Sequence, residues 1–351
     1  MIEDFLRSMH LRKGSDLHVI AGDMPRMRLN GDLITLQNQL LDPEQLHNAL
    51  LDIMTETSRK QFEAYDSADF AFAIPDLARF RVNVFRHLNG IGAVFRGIPS
   101  NALTLKDLGM PKSVRDFTRS NKGLILVTGK TGSGKTTTLA AMIDAINQRQ
   151  QGHILTIEDP IEFVHQRQKC LISQRELGVH TLTFSDALHS ALREDPDVIL
   201  VGELRDLETM SIAMTAAEMG VLVMGTLHTN GAAATIDRVI NIFPAEKQEH
   251  VRNMLSTSLR GIVSQQLAKK KDGSGRVAVL EILVNTSAVA NLIRQGKLEQ
   301  LESVMQSGGA WGMRTMDGAL QELHEQKIIS GEEAYLQAFD KSKFEMFKEV
   351  S

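Results

Sequence analysis

The sequence predicts an α/β fold: a sheet of strands alternating with helices, a smaller α+β domain ahead of it and a helical region behind. Three observations carry this. An apolar run, Leu124 to Val127, breaks at Gly129 into a glycine loop and then resumes at helical spacing through Leu139, Met142, Ile143 and Ile146. Further apolar runs at 153–157, 198–201 and 221–226 each lead into acids or a histidine. The first hundred residues instead alternate apolar and polar positions between hairpin signals, as a half-buried antiparallel sheet does. The expected boundaries are 1–98 for the small domain, 99–112 for a linker, 113–286 for the α/β core and 287–351 for the helical region.

Bulk properties narrow the class. A length of 351 residues fits about two domains. The 42% hydrophobic content supports sizeable cores, and a net charge of −4 with a pI near 6.3 gives no global sign of a nucleic-acid binder. A single cysteine, Cys170, excludes an internal disulfide and any multi-cysteine zinc site, and fits a reducing compartment. No apolar stretch approaches the roughly 20 residues that span a bilayer. The N-terminus lacks the layout of a signal peptide. An intracellular protein able to dock on a membrane complex is expected.

In chain order, residues 2–13 read as an amphipathic helix with Ile2, Phe5, Leu6 and Met9 on one face. A turn at Gly14-Ser15 leads into a strand in which His18 is expected to be structural. Pro25 separates it from Met27-Arg28-Leu29, and Asn30-Gly31 signals a hairpin. Asp42 can cap a helix begun by Pro43 and running to about Met54. A second helix spans roughly 56–64, ahead of a strand at 66–72. In 79–96, Phe80, Val82, Val84 and Phe85 set against Asn89-Gly90 predict a hairpin. Arg79, Arg81, Arg86 and Arg96 are expected on its other face, with no acid between Asp76 and Asp107. Such a cluster suits an anion, and arginine is the residue that neutralises a transferring phosphoryl group. Leu105, Leu108, Met110 and Pro111 either line a base pocket or pack the start of the core.

The loop Gly129-Lys130-Thr131-Gly132-Ser133-Gly134-Lys135-Thr136 has the form G-x-x-x-x-G-K-[ST] between a strand and a helix. That context makes it a polyphosphate cradle, with backbone N–H groups and a helix N-terminus facing the anion. Gly129, Thr131, Gly132, Ser133, Gly134, Lys135, Thr136 and Thr137 are the nucleotide-binding candidates. Lys135 would reach the β- and γ-phosphates, and Thr136 would offer its hydroxyl to Mg²⁺. The strand at 153–157 ends in Glu158, Asp159 and Glu162, where open α/β sheets bind ligands. Glu158 and Asp159 are metal candidates, and the three acids together would hold Mg²⁺ or orient water. After a helix at 186–194, the strand at 198–201 delivers Glu203, a candidate base. The strand at 221–226 delivers His228, a candidate γ-phosphate sensor. Residues 246–268 read as a pair of amphipathic helices, 269–276 as a basic turn, 277–283 as a strand and 287–347 as helical, with Met305, Met313 and Met316 packing.

These motifs, with Gly14-Ser15-Asp16-Leu17-His18, Arg79-Phe80-Arg81-Val82-Asn83, Arg193-Glu194-Asp195-Pro196-Asp197, Gly202-Glu203-Leu204-Arg205-Asp206, Gly225-Thr226-Leu227-His228-Thr229, Ile236-Asp237-Arg238-Val239-Ile240, Asn291-Leu292-Ile293-Arg294 and Gly312-Met313-Arg314-Thr315-Met316-Asp317, resemble the secretion ATPase superfamily. Within it the chain is similar to the type IV pilus retraction ATPases of the PilT/PilU kind, over almost its full length. The resemblance implies a RecA-like ATPase core, a PAS-like N-terminal domain and Mg²⁺-dependent ATP hydrolysis. It also implies a homo-hexameric ring that works on an inner-membrane platform protein, at the cytoplasmic face, to depolymerise pilin. Arg81 and Arg96, with Arg79, would close over the γ-phosphate in the same or an adjacent subunit. The extension and type II secretion relatives carry a four-cysteine zinc module and long N-terminal domains, neither of which is found here. Two departures stand out: Val221 where the family has a histidine, and Ala288-Val289-Ala290-Asn291 where it has Ala-Ile-Arg-Asn. They leave open an accessory ATP-binding role beside a paralogous retraction ATPase. A motor for secretion or DNA uptake is a further alternative, and direct nucleic-acid binding is not expected.

Overall fold

The computed structural model describes residues 1–29, 32–98 and 103–348. The Asn30-Gly31 hairpin signal and residues 99–102 of the expected linker lie outside them. The chain divides into two compact units, Met1–Asn101 with Glu162–Val164, and Ala102–Ile161 with His165–Ser351.

In the first unit, helix α1 (Ile2–Leu11) buries Ile2, Phe5, Leu6 and Met9 at helical spacing. Strands β1 (Asp16–Ile20), β2 (Arg26–Leu29) and β3 (Asp32–Thr35) follow. Helix α2 (Pro43–Ile53) starts where proline costs nothing, and the Asp42 carboxylate accepts the Glu44 and Gln45 N–H groups. Thr55 caps α3 (Glu56–Tyr65) in the same way. Strands β4 (Ser67–Ile74), β5 (Ala78–His87) and β6 (Gly90–Ile98) complete a six-stranded sheet of order β3-β2-β1-β6-β5-β4, antiparallel throughout. Leu17, Met27, Phe80, Phe95, Leu46 and Leu50 are fully buried between sheet and helices. His18 is half-buried within β1, and burial lowers its pKa, as suits a structural residue.

The second unit opens with α4 (Lys112–Phe117), so the expected linker ends in a helix. Leu105 and Met110 are buried in one cluster with Ile125 and Val127, which is the packing alternative. The chain then alternates β7 (Gly123–Thr128), α5 (Lys135–Arg149), β8 (His153–Glu158), β9 (Leu171–Glu176), α6 (Phe184–Ala191), β10 (Val198–Val201), α7 (Leu207–Met219), β11 (Leu222–Leu227), α8 (Ala232–Asn241), α9 (Ala245–Ser258), β12 (Leu259–Lys269) and β13 (Arg276–Val284). The sheet order is β13-β12-β7-β11-β10-β8-β9, parallel from β12 to β9 with β13 antiparallel at one edge. Helices α10 (Ser287–Gln295), α11 (Leu301–Ser307), α12 (Met316–Glu325) and α13 (Gly331–Gln337) follow, and Met316, Leu320 and Ala334 share a core with Ala268 and Val279 of β12 and β13. Met305, Met313 and Met316 are buried.

One expectation is corrected here. Residues 246–268 are not two helices: α9 ends at Ser258, and β12 begins at Leu259. Leu259, Ile262 and Val263 have helical spacing, but they lie in a strand buried between β7 and β13, where β-branched residues pack well. Among the described residues no helix is long and apolar enough to cross a membrane.

Candidate active site

Strands β7, β11, β10 and β8 are hydrogen-bonded neighbours and all parallel. Their last residues, Thr128, Leu227, Val201 and Glu158, therefore share one edge of the sheet. The glycine loop, His228 and Glu203 all emerge there, at the carboxyl edge where open α/β sheets bind ligands.

The loop is built for an anion. Gly129, Gly132 and Gly134 have φ of 140°, 78° and 87°. At Gly129 a side chain is also excluded by space, because a Cβ would lie 2.2 Å from the Gln265 carbonyl oxygen. Gly134 caps α5 without a side-chain hydrogen bond, leaving the first amides of the helix to face outward with its dipole. Lys135 is buried, and its Nζ donates to the carbonyls of Gly129 at 2.8 Å and Lys130 at 3.1 Å. The Ser133 Oγ is buried without a hydrogen-bond partner, a polar atom that a phosphate oxygen would satisfy. Thr131 is exposed on the loop, while Thr136 and Thr137 are half-buried on the first turn of α5.

Beside the loop stands a small charged constellation. Glu203 Oε2 is 2.7 Å from an Arg205 guanidinium nitrogen, and Oε1 is 3.3 Å from His228 Nε2. Burial pushes the Glu203 carboxyl up, but Arg205 and His228 outweigh it and hold it below the usual carboxylate range. Its hydrogen bond to Glu203 in turn raises the pKa of Arg205. An ionised, oriented carboxylate at this edge can hold a water for attack on a phosphoryl group.

The three acids of the neighbouring strand do not form one cluster. Glu158 is buried, and its Oε1 accepts from the Thr156 hydroxyl at 2.7 Å and Gln174 Nε2 at 3.2 Å. Asp159 is exposed just beyond the strand end. Glu162 is exposed, and with Phe163 and Val164 it groups with the first unit. Among the described residues no three His, Cys, Asp or Glu side chains lie together as a metal cage. Mg²⁺ keeps its waters and binds through one or two protein oxygens plus substrate phosphates. Thr136, with Glu158, Asp159 or Glu203 through water, would hold it, and when bound it would neutralise phosphate charge.

In the first unit, Arg81 and Arg96 face each other across β5 and β6, both exposed. Asp16 on β1 pairs in register with both Arg96 and Arg28, so one row across the sheet runs Arg28, Asp16, Arg96, Arg81. Asp16 is buried, and its Oδ1 accepts from Arg96 Nε at 2.8 Å. Burial raises the Asp16 pKa, but hydrogen bonds from Ser15 and Arg96 more than offset it. Arg86 departs from the expected cluster: its Nε is 2.6 Å from Asp66 Oδ1. The counter-charges come from strands and helix ends distant in sequence, which a scan of 79–96 alone does not see.

A family model for type II/IV secretion system proteins matches residues 1–333. The chain belongs to the type II/IV secretion system protein family. It is 54% identical over 320 residues to the type IV pilus retraction ATPase PilT of Pseudomonas aeruginosa, covering 91% of this chain and 93% of that protein. It is 42% identical over 336 residues to the type IV pilus ATPase PilU of the same organism, covering 96% and 88%. A crystal structure of the pilus retraction motor PilT with bound ADP superposes with a TM-score of 0.92 at 44% identity, covering 98% of this chain and 99% of that one. This secretion ATPase is thus a nucleotide-using enzyme with the fold its sequence predicts.

One residue of the secretion ATPase site belongs to none of the sequence motifs. Gln265 on β12 is 2% exposed, accepts from the Thr138 hydroxyl at 2.7 Å and donates to the Ser133 carbonyl at 2.7 Å. It ties the glycine loop to the helix that follows. The signal was present as Ser264-Gln265-Gln266, three polar residues interrupting an apolar run. Val221, the departure noted above, lies just before β11, on the edge of the sheet opposite His228.

Proposed function

We propose that the protein is a Mg²⁺-dependent ATPase motor of the type IV pilus machine, whose hydrolysis powers pilus retraction. The observation that carries the catalytic part is Glu203, ionised and held by Arg205 and His228 on the same sheet edge as the glycine loop. In this reading Lys135 and the loop amides stabilise phosphate charge, Thr136 binds Mg²⁺ and Glu203 positions the attacking water. Arg81 and Arg96 supply positive charge to the γ-phosphate, from the same or a neighbouring subunit of a homo-hexamer. The ring acts at the cytoplasmic face of the inner membrane on a platform protein, without binding nucleic acid directly.

The test is steady-state ATPase of the purified ring with and without Mg²⁺, beside Glu203→Ala. Mg²⁺-dependent turnover that the substitution abolishes supports the reading. Tight ATP binding with no turnover above that of the variant overturns it and supports an accessory subunit instead. Higher identity to the pilus retraction ATPase PilT than to the pilus ATPase PilU supports the retraction reading.

A further inference from the structure

One buried carboxylate of the second unit takes no part in the chemistry above. Glu281 lies within β13, 5% exposed. Its two oxygens serve two helices: Oε1 accepts the Ala232 N–H at 2.7 Å, and Oε2 accepts the Met316 N–H at 3.1 Å. Ala232 and Met316 are the first residues of α8 and α12. Helix α8 has a glycine at its N-cap and no side-chain cap of its own, so a residue from the sheet does that work.

Glu281 does not act alone on α8. Its register partner Ser264 accepts the Gly231 N–H at 2.9 Å, and the partner of Ser264 on β7, Thr128, accepts from the Thr235 hydroxyl at 3.4 Å. Thr128, Ser264 and Glu281 thus form one polar row across three strands, all bonded to the start of α8. The first residue of α8, Ala232, follows His228 by four positions. Gly231 leaves no slack: a Cβ there would lie 3.3 Å from both Glu281 Oε1 and the Phe339 ring. On the other side, Asp317, next to Met316, accepts the Phe339 and Asp340 N–H groups and Lys343 Nζ.

We propose that Glu281 is a positioning residue coupling the His228 segment to α12, so that a nucleotide-dependent shift at His228 moves the C-terminal helices. The proposal rests on the reading that ATP binds at the glycine loop and is sensed by His228. Its physical basis is the cost of stranding a buried N–H. If either helix end moves away from the carboxylate, one donor loses its partner in the interior, so the two ends move together.

Hydrogen exchange on the full-length protein tests this, with and without ADP or a non-hydrolysable ATP analogue, in wild type, Glu281→Gln and Ser264→Ala. Glutamine keeps the volume but presents an N–H₂ to one of the two helix ends. Nucleotide should slow exchange in α5 in all three proteins. In wild type and Ser264→Ala it should also change exchange in the first turn of α12 by about twofold or more. In Glu281→Gln that second change should vanish and kcat should fall several-fold, while KM for ATP stays within about twofold. A nucleotide response at α12 that persists in Glu281→Gln overturns the proposal. So does its absence from wild type, which decides the matter even if the variant fails to fold. Absence of α5 protection in wild type would instead count against nucleotide binding at the loop, a separate failure.

Discussion

His228 Nε2 lies 3.3 Å from Glu203 Oε1, while Arg205 takes the other carboxylate oxygen at 2.7 Å. The two partners are of different kinds. Arginine is always charged, so the Arg205 contact holds the carboxylate down at every working pH.

Removing Arg205 should therefore move the acid limb of the pH–kcat profile. Without its guanidinium, burial is left to push Glu203 up, opposed only by His228. Activity needs the ionised form, so Arg205→Ala should lose turnover at a higher pH than wild type as the solution is acidified. An acid limb that stays in place would show that Glu203 is not the titrating group.

Gln265→Ala should loosen the loop and lower stability together. It removes a partner from the Thr138 hydroxyl and the Ser133 carbonyl and opens a small void, together costing about 2 kcal/mol. Calorimetry should show a drop of several degrees, and KM for ATP should rise. Unchanged ATP affinity would make the glutamine a packing residue only.

Asp16 is the sole acid in a row with Arg28, Arg96 and Arg81. Arg96 is largely exposed, so the pair is screened by solvent and Asp16→Asn should cost only about 1 kcal/mol. The loss should shrink as salt is added, since it arises from repulsion among the remaining cations. A salt-independent loss would place the effect in packing.

His165 should make stability depend on pH on the acid side. Burial lowers its pKa from the usual 6.5 to about 4. Between those values the unfolded chain binds a proton that the folded one does not, so stability is complete above 6.5 and falls as the pH drops towards 4. The melting temperature of His165→Gln should depend less steeply on pH in that window. Equal slopes would assign the acid sensitivity elsewhere.

Much of this was legible in the chain. The Asp42-Pro43 helix start, the hairpin across Asn89-Gly90 and the strand–loop–helix at Gly129 each rest on local stereochemistry, and each formed as written. What sequence could not separate was the run after Ser258, where spacing alone fits helix or buried strand. It also passed over β9, whose Leu171 and Gln174 carry no strong pattern. Gln265 and Glu281 were missed for a related reason. Their partners lie dozens of residues away, and only the pairing of β7, β12 and β13 brings them together.

The six residues of β11 hold Val221 and His228 apart by about 20 Å, one at each end of the strand. A side chain at position 221 therefore touches nothing of the Glu203–His228 pair, so that end of the strand can meet a different neighbour while the charged pair at the other end keeps its geometry.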